Sequence, residues 1–143
     1  YKGAYIAVMM KILDNLDKGL PPVVYGDGSQ SYDFIYVNDV GRSNVCALKS
    51  DVPFGFYNVG RGVKTSIKEL TEILLKITGS DLQIQYEPAG LTFVTNRVGD
   101  PVAAEKDLGF TWTVDLEEGL RRLVEWRKNN MDAVEQRRKK ARG

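Results

Sequence analysis

Apolar residues recur at helical spacing in several blocks of this chain, and between the blocks the pattern switches to short β-rich runs. Tyr5, Met9, Ile12 and Leu16 share one helical face and predict an amphipathic helix over 5–18. Gly19 supplies a left-handed cap, and Pro21-Pro22 stops the helix from continuing. A second helix is expected over 39–49, with Val40, Ala47 and Leu48 toward the core and Arg42 and Asn44 on the polar side; Ser50-Asp51-Val52-Pro53 breaks it. Ser66 with Glu69 three residues on is a capping box, followed by Ile67, Leu70, Leu74 and Ile77 on one face, so a helix over 66–78 ends at Gly79. Pro101 opens a short helix that runs through Leu108 to Gly109. Asp115 with Glu118 starts the last one, over 116–128, whose face is Leu116, Leu120, Leu123 and Val124.

The β-rich runs are Val23–Tyr25, Tyr32–Val37, Phe56–Val59 and Gln83–Tyr86, with Phe93-Val94-Thr95 as a further short strand. Gly26-Asp27-Gly28-Ser29 forms a tight turn between the first two, because glycine reaches positive φ freely and Asp folds back on its own backbone. Asn38 or Asp39 is placed to cap the helix that follows. Two readings of this stretch stand side by side. One is an ordinary hairpin that packs its aromatics into a core. The other is a sharp turn beside aromatic side chains that holds a flat ring and hydrogen-bonds its edge. Either way the chain reads as an α/β protein with some strands paired in parallel.

Composition changes this picture mainly by exclusion. The chain has 143 residues, 43% hydrophobic and 27% charged, which suits one globular domain with a sizeable core. A net charge of +1 gives no global field toward nucleic acid or membrane. No apolar run approaches the roughly 20 residues that span a bilayer. A single cysteine, Cys46, leaves no internal disulfide, and the absence of histidine removes Ser-His-Asp and Cys-His catalysis and histidine-ligated zinc. Gly55 and Gly60 have the spacing of a phosphate loop with Arg61 in the lysine position, but Gly62 occupies the position of the metal-binding hydroxyl, so the motif fails. Residues 136–143 form a basic tail, Arg137, Arg138, Lys139, Lys140 and Arg142, expected to extend a helix or fray into solvent. The chain begins at Tyr1 without Met, which suggests the middle of a longer protein.

Two loops carry candidate chemistry. The first is the Val23–Val40 stretch. The second is Asn96-Arg97-Val98-Gly99-Asp100, where Arg97 offers a planar fork of donors suited to a diphosphate and Asp100 can accept from a sugar or ribose hydroxyl; a surface ion pair is the plainer reading of the two side chains.

Their order along the chain resembles the extended short-chain dehydrogenase/reductase family, the NAD-dependent sugar-nucleotide epimerases and dehydratases. The family pattern of Pro-Pro, β residues, Gly-x-Gly, Arg-Asp-Phe, aromatic-Val and x-Asp-Val stands here as Pro21-Pro22, Val23-Val24-Tyr25, Gly26-Asp27-Gly28, Tyr32-Asp33-Phe34, Tyr36-Val37 and Asp39-Val40. Tyr32 replaces the arginine that many members place on the nucleotide diphosphate. Phe56-Tyr57-Asn58-Val59 before Gly60, Arg97 with Gly99-Asp100, Leu108-Gly109-Phe110 and Leu116–Trp126 also resemble the family. The similarity runs from about Gly3 to Asn129 and covers the C-terminal part of such an enzyme. It implies a substrate lobe over 1–130 and a tail over 131–143, with Ala7, Val8, Val24, Tyr25, Tyr32, Arg97 and Asp100 lining a nucleotide-sugar site.

The glycine fingerprint of a dinucleotide-binding half is absent, and none of the seven tyrosines has a lysine four residues on. The resemblance therefore implies no catalytic residue and no cofactor held by this chain, NAD belonging to the intact family enzyme. A UDP-sugar is the expected ligand, the setting cytoplasmic, with neither nucleic acid nor membrane as partner. The chain would act as a truncated isomerase lobe or pair with an NAD-binding lobe in trans. The other function class is a self-associating interaction module that kept the fold and lost catalysis, through homo-oligomer contacts on faces the missing lobe leaves bare.

Overall fold

The computed structural model describes residues 8–89 and 95–142, the last six of these by their backbone alone. The elements run α1 (Val8–Leu16), β1 (Val23–Tyr25), β2 (Ser31–Tyr32), α2 (Val37–Lys49), β3 (Thr65–Ser66), α3 (Ile67–Thr78), β4 (Gln85–Glu87), β5 (Asn96–Arg97), α4 (Val102–Leu108), α5 (Leu116–Asn129) and α6 (Met131–Arg142). β1 pairs in parallel with β4, Val24 opposite Tyr86; β2 lies between β3, antiparallel, and β5, parallel. The α/β class is as expected, but β1 and β2 lie in different sheets, so the stretch is not a hairpin.

The core forms where the helical periodicity places it. Ile12 and Leu13 of α1, Val24 of β1, Ile67, Leu70 and Leu74 of α3, and Leu120 and Val124 of α5 make one buried cluster. Ser66 and Glu69 form the reciprocal capping box, and Asp115 accepts from the Glu118 N–H. Arg127, buried at the end of α5, donates from Nη2 to Asp14 at 2.8 Å and to Asp17, fastening α5 to α1. Gly19, Gly79 and Gly109 end their elements at positive φ, as the sequence requires.

Four expectations need correction. The run Tyr32–Val37 is a strand only at Ser31–Tyr32, because the Asp33 carboxylate turns away to hydrogen-bond another loop. The cap of α2 is neither Asn38 nor Asp39: Tyr36 is the N-cap residue, without a side-chain cap bond. Asp39 lies inside the first turn and is 1% exposed, taken up by the Thr113 and Val114 N–H groups. That bond turns α2 over: Asp39 and Ser43 face inward, while Val40, Ala47 and Leu48 are exposed. Finally, Phe56–Val59 belongs to neither sheet. The remaining shifts are of boundaries, β4 lying at Gln85–Glu87, and of scope, since residues 5–7 and Phe93-Val94 fall outside the described residues. The tail backbone continues as α6, whose Val134 is buried.

Candidate functional site

The Gly26–Ser29 turn is built from its own side chains. Asp27 accepts from the Ser29 hydroxyl at 2.6 Å and from the Ser29 N–H at 2.9 Å, and these two bonds, the hydroxyl's foremost, lower its pKa. The Gly26 N–H donates to the Glu87 carbonyl, extending the β1–β4 pairing. Gly28 sits at φ +77° and accepts from the Lys68 N–H, pressed so closely that a Cβ there would stand 3.0 Å from both Val24 and Lys68. The turn is thereby fixed on the start of α3. Tyr25, at the end of β1, is held by Gln30, whose amide donates to its carbonyl at 2.9 Å, and the residue is 54% exposed.

β2 brings the second loop alongside. Tyr32 has Thr65 as its register partner on one side and Arg97 on the other. The Asp33 N–H donates to the Arg97 carbonyl at 2.9 Å, while the Asp33 carboxylate accepts from the Arg61 N–H at 3.0 Å and the Gly62 N–H at 2.9 Å. A Cβ on Gly60 would drive into that carboxylate, so the position requires glycine. Asp33 thus ties the 58–62 loop to β2 and β5, and fixes the backbone from which Arg97 projects. The Arg97 side chain is exposed and makes no ion pair among the described residues. Tyr32 is half-buried, tilted against Phe34 with ring centres 6.1 Å apart. Asp100 uses one carboxylate oxygen on the Val102 N–H at 3.0 Å, at the start of α4.

Of the expected site residues, Tyr32 and Arg97 meet on neighbouring strands, with Asp100 three residues beyond and Tyr25 at the far end of the Gly26–Gln30 turn. Val24 has its side chain sealed in the core, which leaves it only a supporting place. Val8 packs partly against the same core, and Ala7 lies outside the described residues. An apolar cavity of about 210 Å³ opens elsewhere, between Met9, Phe34, Tyr36, Leu116 and Leu123; none of Tyr25, Tyr32, Arg97 or Asp100 lines it. No cluster among the described residues could hold a metal ion.

Two acids organise this region in ways that the sequence pattern does not announce. Asp33 stood inside a quoted motif, and Asp39 was read only as a cap. Burial works against the charge of Asp39, but the Thr113 N–H and hydroxyl, the Val114 N–H and Arg42 outweigh it, so its pKa is lowered. The available signal was an acid set among β-formers, where a charge survives only with donors around it. Arg61 carries a further feature: its guanidinium lies 5.0 Å from the Trp112 ring centre.

The chain as a whole is similar to proteins of one family. The sequence model of the NAD dependent epimerase/dehydratase family matches residues 2–60. A putative UDP-glucose 4-epimerase of Methanocaldococcus jannaschii is 35% identical over 125 residues, which are 86% of this chain and 39% of that protein. Among solved structures, UDP-glucose 4-epimerase of Thermotoga maritima with UDP-glucose superposes at a TM-score of 0.83 and 30% identity, over 90% of this chain and 41% of that one. The Bordetella bronchiseptica enzyme WbmF in complex with NAD+ and UDP superposes at 0.79 and 32% identity, over 91% and 38%. The chain belongs to this family of extended short-chain dehydrogenases/reductases, and it spans about two fifths of the length of these relatives.

Proposed function

We propose that this chain is the nucleotide-sugar-binding lobe of an NAD-dependent epimerase or dehydratase, and that it grips a UDP-sugar through Arg97, Tyr32 and Tyr25. The observation that carries the reading is the pairing of β2 with β5, which sets Tyr32 opposite Arg97. Arg97 presents its donors to the diphosphate, as a guanidinium fork suits two phosphate oxygens. Tyr32 adds a hydroxyl but no charge where many family members carry arginine. Tyr25, exposed beside a rigid turn, offers a flat face to the base. The free oxygen of Asp100 accepts from a ribose or sugar hydroxyl. In the intact enzyme NAD supplies the redox chemistry; this chain's residues bind and orient.

Titration calorimetry with UDP at fixed salt tests the reading. A charge-assisted hydrogen bond is worth roughly 1.5–3 kcal/mol, so Arg97→Ala should weaken UDP binding about tenfold or more. The melting temperature of the free protein should stay put, because the side chain is exposed. Tyr32→Arg should tighten binding. Equal affinity of parent and Arg97→Ala would reduce the arginine to a surface charge and remove the site with it.

A further inference from the structure

Arg127 has more hydrogen-bonding capacity than its ion pairs use. The residue lies near the end of α5 and is 2% exposed. Its Nη2 serves Asp14 and Asp17, and its Nη1 lies 3.8 Å from the Met10 sulfur. The third nitrogen, Nε, is buried and has no acceptor among the described residues. A buried N–H without a partner is costly, and folded proteins leave few of them.

Arg127 also lines a cavity of about 220 Å³ where α1, the end of α3, α5 and the start of α6 meet. Leu13, Leu16, Val124 and Met131 give it apolar walls, and Asp17, Ser80 and Lys128 add polar edges. Leu13 and Val124 are buried while Asp17 and Lys128 are exposed, so the cavity has an apolar floor and a charged mouth. It shares no residue with the cavity beside Tyr36, and none of Tyr25, Tyr32, Arg97 or Asp100 lines it. Apolar walls with one donor set among them are the make-up of a small-molecule site.

We propose that this cavity binds a neutral, compact apolar molecule with one acceptor oxygen, and that the oxygen takes the Arg127 Nε–H. Size sets the body of the ligand. A cavity of about 150 Å³ holds benzene, so this one holds a ring with a short substituent. Charge sets its head. A carboxylate at Nε would stand within a guanidinium's width of the two carboxylates that Arg127 already holds, and like charges so close disfavour each other. An ammonium group has no lone pair to offer the Nε–H. A ketone or amide carbonyl accepts the bond and adds no charge.

The site stands apart from the nucleotide reading, and its test uses no nucleotide. Acetophenone, benzoate and benzylammonium share a ring and differ in the head group. Each is titrated at neutral pH into the isotope-labelled chain, and proton–nitrogen NMR follows the Arg127 Nε–H signal, assigned through its own side-chain carbons. Acetophenone should move the signal saturably and raise the melting temperature, as a ligand of the folded state does. Benzoate and benzylammonium should bind about tenfold more weakly or worse, because each must bury a charge. Met131→Trp sets an indole into the cavity from a half-buried position. It should abolish the acetophenone response while the far-UV circular dichroism stays that of the parent, and Met131→Leu should keep the response. No saturable movement with acetophenone, tighter binding of either charged ring, or a response that survives in folded Met131→Trp would overturn the proposal.

Discussion

Helices α3 and α2 make the instructive pair. Both are amphipathic in sequence, and they sit one element apart in the chain. Helix α3 buries Leu70 and Leu74 completely and opens on a capping box. Helix α2 opens on Tyr36 without a side-chain cap, buries an aspartate and a serine, and turns Leu48 outward. Periodicity marks where a helix has two faces. What lies against each face is decided by tertiary bonds, and in α2 one buried carboxylate decides it.

The largest expected effect separates the two helices directly. Leu70→Ala removes a fully buried side chain from the α1–α3–α5 core and should cost about 2–5 kcal/mol. Leu48→Ala, a change of the same size on α2, should stay within about 0.5 kcal/mol. Urea unfolding followed by far-UV circular dichroism measures both. Similar losses would mean that the outer face of α2 is packed after all.

Asp39→Asn comes next. The Thr113 and Val114 N–H groups both donate to one oxygen, and Arg42 and the Thr113 hydroxyl to the other. An amide keeps one acceptor and puts an NH₂ before Arg42, leaving donors unsatisfied at a cost of about 1–3 kcal/mol. The pH dependence has a definite sign. The folded pKa of Asp39 lies below the unfolded value of about 3.9, so its charge stabilises the fold above that pH. The contribution is lost as pH falls through the lowered folded value. The gap in stability between the parent and the Asp39→Asn variant should therefore be full at neutral pH and narrow under acid. A gap that is constant with pH would show that the carboxylate charge is not what holds α2 in place.

The same contrast explains what the sequence made legible. Local signals carried through: the helix periods of α1, α3 and α5, the Ser66–Glu69 box, and the glycine stops at 19, 79 and 109 each depend on residues a turn apart. Strand pairing did not, because β1 finds β4 about 60 residues away and β2 finds β5 at similar range. Nothing in Tyr32-Asp33-Phe34 announces that Asp33 will fold back on the Arg61 and Gly62 N–H groups and end the strand. At the candidate site, Arg97 and Tyr32 were legible as side chains with chemistry, while Asp33, which fixes the backbone beside them, was not. Val24 reads as a site residue in the motif, but its side chain belongs to the core. The orientation of α2 was illegible for the same reason as the pairing: its partners at 113 and 114 lie more than 70 residues away.

The smallest expected effect concerns the helix starts. Ser66 accepts from the Glu69 N–H at 3.1 Å, and Glu69 in return takes the Ser66 N–H at 2.7 Å and its hydroxyl at 2.8 Å. Ser66→Ala removes the hydroxyl from both bonds, which costs about 1 kcal/mol at a typical N-cap. The backbone bond from residue 66 to Glu69 survives the change. That bond, the largest influence on Glu69, lowers its pKa, so the carboxylate stabilises the fold above its unfolded value of about 4.3 and loses the effect as pH falls through the folded one. In the Ser66→Ala variant the acid sensitivity should shrink but not vanish. At α2 the matching test is Tyr36→Phe, which removes no cap bond, since none exists, and takes away only the hydroxyl's bond to the half-exposed Arg122 while keeping the ring under it. It should leave stability unchanged within about 0.5 kcal/mol. If Tyr36→Phe cost as much as Ser66→Ala, the phenol would be holding the start of α2, and the contrast between a capped and an uncapped helix would collapse.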